Sequence, residues 1–153
     1  IQEQINAIPF EGSWSAAQVA QDLLQSYSAV DVLSGAVQAT ERPPDSYCEQ
    51  LKSSFLNFDK KMTSPDFVRP AALEYDKDTL LRLLSAKLDS IHDSVKTLDL
   101  SQTCLDFVLP GADTFTRLEW TCFMLYHTQR HIHQLHHIYR TVAESRNEVK
   151  ISS

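Results

Sequence analysis

A chain of 153 residues, 42% of them apolar and 22% charged, has the composition of one ordinary globular domain and is long enough to bury a core. Its net charge of −6 repels a phosphate backbone and its 14 Lys and Arg residues are scattered, with Lys60-Lys61 the densest pair, so nucleic acid is excluded as a partner. No apolar run approaches the roughly 20 residues that span a bilayer, and three glycines are too few for the tight turns of a sandwich or barrel.

Residues 1–8 read as a short helix ended by Pro9. Ile1 to Phe10 hold no basic stretch leading into an apolar one, so no signal peptide is expected; the missing initiator Met suggests that a short leading segment was left off or removed. A long helix is predicted over 15–36. Ser15 and Gln18 have capping-box spacing, and Ala16, Val19, Leu23, Ser26, Val30 and Leu33 recur at intervals of three and four. Gly35 and Arg42-Pro43-Pro44 prevent its continuation.

Residues 37–77 read as a long crossover with a possible short helix over 46–58, where Leu51, Phe55 and Phe58 share a side. Thr63 to Pro70 is expected to be extended, because each proline disfavours helix in the residue before it. A second long helix is predicted over 78–97, with Leu81, Leu84, Leu88, Ile91 and Val95 as its inner stripe. Thr103 to Leu109 reads as a short strand or an extended loop. After the breaker Pro110-Gly111, a third long helix over 115–145 opens on a further capping-box pair, Thr116 and Glu119. Four helices, three of them long, in a single domain over 1–153 predict an all-α four-helix bundle. Cys48, Cys104 and Cys122 are odd in number and unrelated in spacing, which predicts reduced thiols in a cytoplasmic protein, with Cys122 packed as a small apolar residue.

The last helix carries five of the six histidines between Tyr126 and His137. At about 100° per residue, His127 and His131 stand about 40° apart, on the same stripe as Trp120, Phe123, Met124, Gln134 and Ile138. A His pair at i and i+4 places two ring nitrogens within reach of one ion, and a third ligand must then come from another helix. The same spacing also suits a buried pair satisfied by hydrogen bonds, or a histidine-rich surface. His133 and His136 point to the opposite half of the helix. The pair His133 and His137 shares its stripe with Arg130 and Arg140 and reads as solvated. Tyr126 and Arg130 flank the inward pair with no role that the spacing supplies.

Three stretches together, Trp14-Ser15-Ala16-Ala17-Gln18-Val19-Ala20-Gln21, Thr116-Arg117-Leu118-Glu119-Trp120 and Tyr126-His127-Thr128-Gln129-Arg130-His131-Ile132-His133-Gln134, resemble the DinB-like superfamily of metal-binding four-helix bundles. The resemblance covers nearly the whole chain from Ile8, including Ser64-Pro65-Asp66-Phe67. It implies an up-down-down-up bundle with a long crossover between the second and third helices, often dimeric. It further implies a divalent ion, zinc or nickel, on two histidines of the last helix and one of the second. Characterised members include transferases that use a low-molecular-weight thiol. A metal-dependent enzyme of transferase or hydrolase type, acting on a small-molecule substrate, is the function so implied.

The position that matches the family's third histidine, about seven residues after Trp14-Ser15, is Asp22. A carboxylate is a legitimate zinc or nickel ligand, but it is shorter than an imidazole. Asp22 also falls at the edge of its helix stripe, so ligation, a vacated ligand position and a surface role all remain open. The alternative function is therefore a non-catalytic homodimer with a degenerate site. His92 is a substitute ligand candidate, and Gln134 is placed to orient an imidazole rather than to bind metal.

Overall fold

Local capping sets the ends of the main helices. In the computed structural model, which describes residues 1–64 and 69–151, the Ser15 hydroxyl accepts from the Gln18 amide at 3.2 Å while the Gln18 side chain accepts from the Ser15 amide at 3.0 Å. These bonds open α2 (Ala16–Ser26), which follows a short α1 (Gln2–Asn6). The long helix expected over 15–36 is interrupted: α2 stops at Ser26, and a separate α3 covers Ala29–Leu33. The cause lies in the polar triplet Ser26-Tyr27-Ser28. The Ser26 hydroxyl bonds back to the Asp22 carbonyl, and the Val30 and Asp31 amides reach only three residues back, to Tyr27 and Ser28. Val30 and Leu33 still face inward, which is why the apolar period runs through the break.

Beyond α3, β1 (Val37–Gln38) pairs antiparallel with β2 (Thr103–Cys104), Val37 opposite Cys104 and Gln38 opposite Thr103. Thr103 to Leu109 thus contributes only two strand residues, and their partner strand carries no sequence signal of its own. Between the strands lie α4 (Cys48–Phe55) and α5 (Lys77–Thr97), and α6 (Arg117–Ile151) closes the described chain. Residues 65–68, within the expected extended crossover, lie outside the described residues. The described chain is mostly helical, with this ribbon as its one sheet. No described helix is long and apolar enough to cross a membrane.

α2 packs against both α5 and α6, and α4 packs along α6. Leu23, Tyr27, Val30, Leu33, Cys104, Phe115, Trp120 and Met124 form the core between them. On α5 only Leu80 is buried. Leu84, Ile91 and Val95 are half-buried, while Leu81 and Leu88 of the expected inner stripe are exposed. Both lie about 50–70° around the helix from the line through Leu84 and Ile91.

The start of α6 is built around Glu119, which has no exposed surface. It exchanges capping-box bonds with Thr116, takes both guanidinium nitrogens of Arg42 at 2.7 and 2.9 Å, and accepts the Tyr47 amide at 2.7 Å. All its acceptor positions are served by short bonds, as a buried charge requires.

The three cysteines are not all reduced thiols. Cys48, the first residue of α4, forms a disulfide with Cys122 of α6, their Cα atoms 5.7 Å apart. Separation along the chain carries no information about this pair; the packing of α4 on α6 brings the two Cα atoms within bridging range. Cys122 is consequently a cross-link between helices rather than an apolar filler. Cys104 is free and buried, and burial pushes its thiol pKa up. Alkylation of the denatured, unreduced protein should label Cys104 alone, and labelling after reduction should reach all three cysteines by mass spectrometry. Three labels without reductant would contradict the Cys48–Cys122 bond.

Candidate metal centre

Two helices bring together the residues that the sequence singles out. Asp22 stands one residue before the core residue Leu23, on the flank of α2 that α6 covers. His127 and His131 lie one turn apart on α6, on the stripe that carries Trp120, Met124 and Ile138 into the interior. Asp22 has no exposed surface, which overturns the surface reading of that residue. Helix periodicity places Asp22 at an edge because it sees α2 alone; α6 and Ser64 close over that edge.

Three atoms converge. Asp22 Oδ1 is 3.2 Å from His131 Nε2 and 3.3 Å from His127 Nε2, and the two Nε2 atoms are 2.9 Å apart. Ligands about 2.0–2.1 Å from a tetrahedral zinc ion are separated by about 3.3 Å, so two edges of the triangle match such a centre and the third is slightly short. Glu119 is the other buried carboxylate among the described residues, and it differs from Asp22. Glu119 is saturated by donors at 2.7–2.9 Å. Among the described residues, the polar neighbours of Asp22 Oδ1 stand at 3.2–3.4 Å, namely the two imidazoles and the Ser26 hydroxyl. That is the spacing of atoms around a common centre, wider than a charge-assisted hydrogen bond.

The proton placement agrees with this. Gln134 Oε1, an acceptor, lies 2.8 Å from His131 Nδ1, which fixes a proton on Nδ1 and, in the neutral ring, turns the Nε2 lone pair toward the triangle. His127 Nδ1 is buried without a hydrogen-bond partner among the described residues. Burial, reinforced by His131 and outweighing the pull of Asp22, pushes the His127 pKa down to about 4, so its ring is neutral at physiological pH. Burial alone raises the Asp22 pKa, but the hydrogen bond and charge of His131, with His127 and Ser64, bring it below the ordinary carboxylate value. An ionised carboxylate and two neutral imidazoles form a hard and borderline donor set suited to a divalent ion. The same triangle can instead hold a proton, with His131 as an imidazolium donating to Asp22.

Aromatic rings dry the centre. Phe55 of α4 lies 5.5 Å and Phe123 lies 5.6 Å from His127, ring centroid to centroid. The remaining candidates are elsewhere. His92 is exposed on α5 and does not belong to the cluster of possible metal ligands. His133, His136 and His137 are exposed, His133 stacking on Phe58 and His137 meeting Phe10 edge-on. Arg130 acquires a role: it donates to the carbonyls of Phe55, Asn57 and Lys60 and so holds the end of α4 beside the site. Ser64, whose hydroxyl donates to Asp22 Oδ2 at 2.8 Å, escapes sequence reasoning because it lies 42 residues from Asp22 with no motif linking them.

Imidazole nitrogen NMR of the metal-free protein at neutral pH should show the His127 ring neutral; a His127 ring protonated on both nitrogens would contradict the effect of its burial. A family model described as the DinB superfamily matches residues 2–135, a span that includes Asp22, His127, His131 and Gln134. No curated protein matches the chain, and no solved structure does.

Proposed function

The chain belongs to the DinB superfamily, and from that premise we propose that it is a metal-dependent enzyme of thiol-dependent transferase or hydrolase type, with a divalent ion held between α2 and α6. The observation that carries this reading is the convergence of Asp22 Oδ1, His127 Nε2 and His131 Nε2 within 3.3 Å of one another in a buried setting. Zinc or nickel suits two imidazoles and one carboxylate. When bound, such an ion supplies Lewis acidity, by which water or a low-molecular-weight thiol ionises near neutral pH.

The chain's own residues have separable tasks in this scheme. Asp22 contributes the one full negative charge, offsetting half of a dication. His127 and His131 contribute neutral nitrogen donors, and Gln134 keeps the His131 proton on Nδ1, away from the ion. Phe55 and Phe123 exclude water from one side of His127, which strengthens electrostatic interactions with a small-molecule substrate.

The superfamily's up-down-down-up four-helix bundle is the arrangement we take for α1, α2–α3, α5 and α6, with α4 lying in the long crossover between the second and third helices. A homodimer is proposed on the same footing. Leu125, Ile132 and Tyr139 stand exposed at intervals of seven along α6 and suit a helix-to-helix contact with a second copy. The cytoplasmic expectation rests on reduced cysteines and loses that premise, because the Cys48–Cys122 disulfide belongs to oxidising surroundings.

A second reading has its own support. The 3.2 Å approach of His131 to Asp22 also fits an ion pair, as in a non-catalytic homodimer whose site has lost its ion. Elemental analysis of untagged protein separates the two: about one ion per chain is expected, and less than about 0.1 would contradict the enzyme reading. His127→Ala and His131→Ala should each abolish uptake while His133→Ala and His136→Ala leave it intact. Equal loss from all four would mean that uptake belongs to the helix surface.

A further inference from the structure

We propose that Ser64 is a positioning residue that confines Asp22 to ligation through one oxygen and thereby biases the site toward small, four-coordinate divalent ions; the proposal rests on the metal-dependent reading above. A carboxylate only accepts hydrogen bonds, so the 2.8 Å contact is a donation from Ser64 Oγ to Asp22 Oδ2. Oδ2 is thereby engaged, and Oδ1 alone faces the two imidazoles. The other hydroxyl near the carboxylate, that of Ser26, spends its proton on the Asp22 carbonyl at 2.9 Å and stands 3.4 Å from Oδ1. Among the described residues, Ser64 is the one side chain that holds Oδ2.

The denticity of this carboxylate has consequences for the ion. Zinc and cobalt at a tetrahedral site take one oxygen from a carboxylate, whereas larger oxygen-seeking ions with six or more ligands gain from both. Freeing Oδ2 would let it swing into the coordination sphere; holding it prevents this. The hold is firm because the segment before Ser64 is anchored to the helix that bears the imidazoles. Arg130, adjacent to His131, donates to the carbonyls of Phe55 at 3.1 Å and Asn57 at 3.0 Å and to that of Lys60, and the Phe58 ring stacks on His133. The hydroxyl and the two rings therefore share one frame.

The test titrates metal-free wild-type, Ser64→Ala, Ser64→Thr and Ser64→Val protein with Zn²⁺, Co²⁺ and Mn²⁺ alone, recording the visible spectrum of the cobalt form. The wild-type and Thr proteins should give the intense bands of four-coordinate cobalt. The Ala protein should bind zinc about 10-fold more weakly, favour manganese relatively more, and show weaker cobalt bands as the second oxygen enters. Thr and Val have the same shape and differ by the hydroxyl alone, so that pair carries the comparison should the Ala chain fail to fold. Identical cobalt spectra and zinc-to-manganese ratios with and without the hydroxyl overturn the proposal. A wild-type chain that takes up none of the three ions overturns the metal reading, and with it this one.

Discussion

Asp22 places a carboxylate where no water reaches it, and an isolated charge in such a position costs several kcal/mol. Much of the surrounding structure answers that cost. α6 brings two imidazoles to Oδ1, the connection after α4 brings the Ser64 hydroxyl to Oδ2, and Gln134 fixes the proton of the nearer ring. Arg130 secures that connection to α6, and Phe55 seals it over His127. Three segments distant in sequence meet at this one charge.

Glu119 makes the role of Asp22 easier to read. Both carboxylates are fully buried, but Glu119 is neutralised by the Arg42 guanidinium and filled by backbone amides, so nothing remains for it to bind. It joins the turn after β1 to the start of α6 and is structural. Asp22 has no cationic Lys or Arg partner among its described contacts, and its Oδ1 faces the Nε2 atoms of two histidines. A charge left in that condition is costly for a fold to keep without an ion or a proton to share. This contrast, more than the count of histidines, supports the metal reading proposed above.

Signals that act over three or four residues are legible in this chain. The capping boxes at Ser15 with Gln18 and Thr116 with Glu119 mark real helix starts, and the 3.6-residue period turns His127 and His131 inward together. Signals that depend on tertiary packing are not. The break at Ser26-Tyr27-Ser28 is hidden because the apolar period survives it, and the exposure of Leu81 and Leu88 depends on where α5 meets α2. The burial of Asp22, the Ser64 contact and the Cys48–Cys122 bond join residues 42 to 109 positions apart. No local pattern specifies such pairs; the family resemblance marks Asp22 as a position of interest without saying that it is enclosed.

In the function proposed above, one oxygen of Asp22 and the Nε2 atoms of His127 and His131 bind a single ion. X-ray absorption at the zinc edge of the loaded, untagged protein tests it most directly. Two imidazole nitrogens and a shell of nitrogen and oxygen at about 2.0–2.1 Å with no sulfur are expected. A sulfur shell at about 2.3 Å, or a spectrum with fewer than two imidazoles, would contradict it.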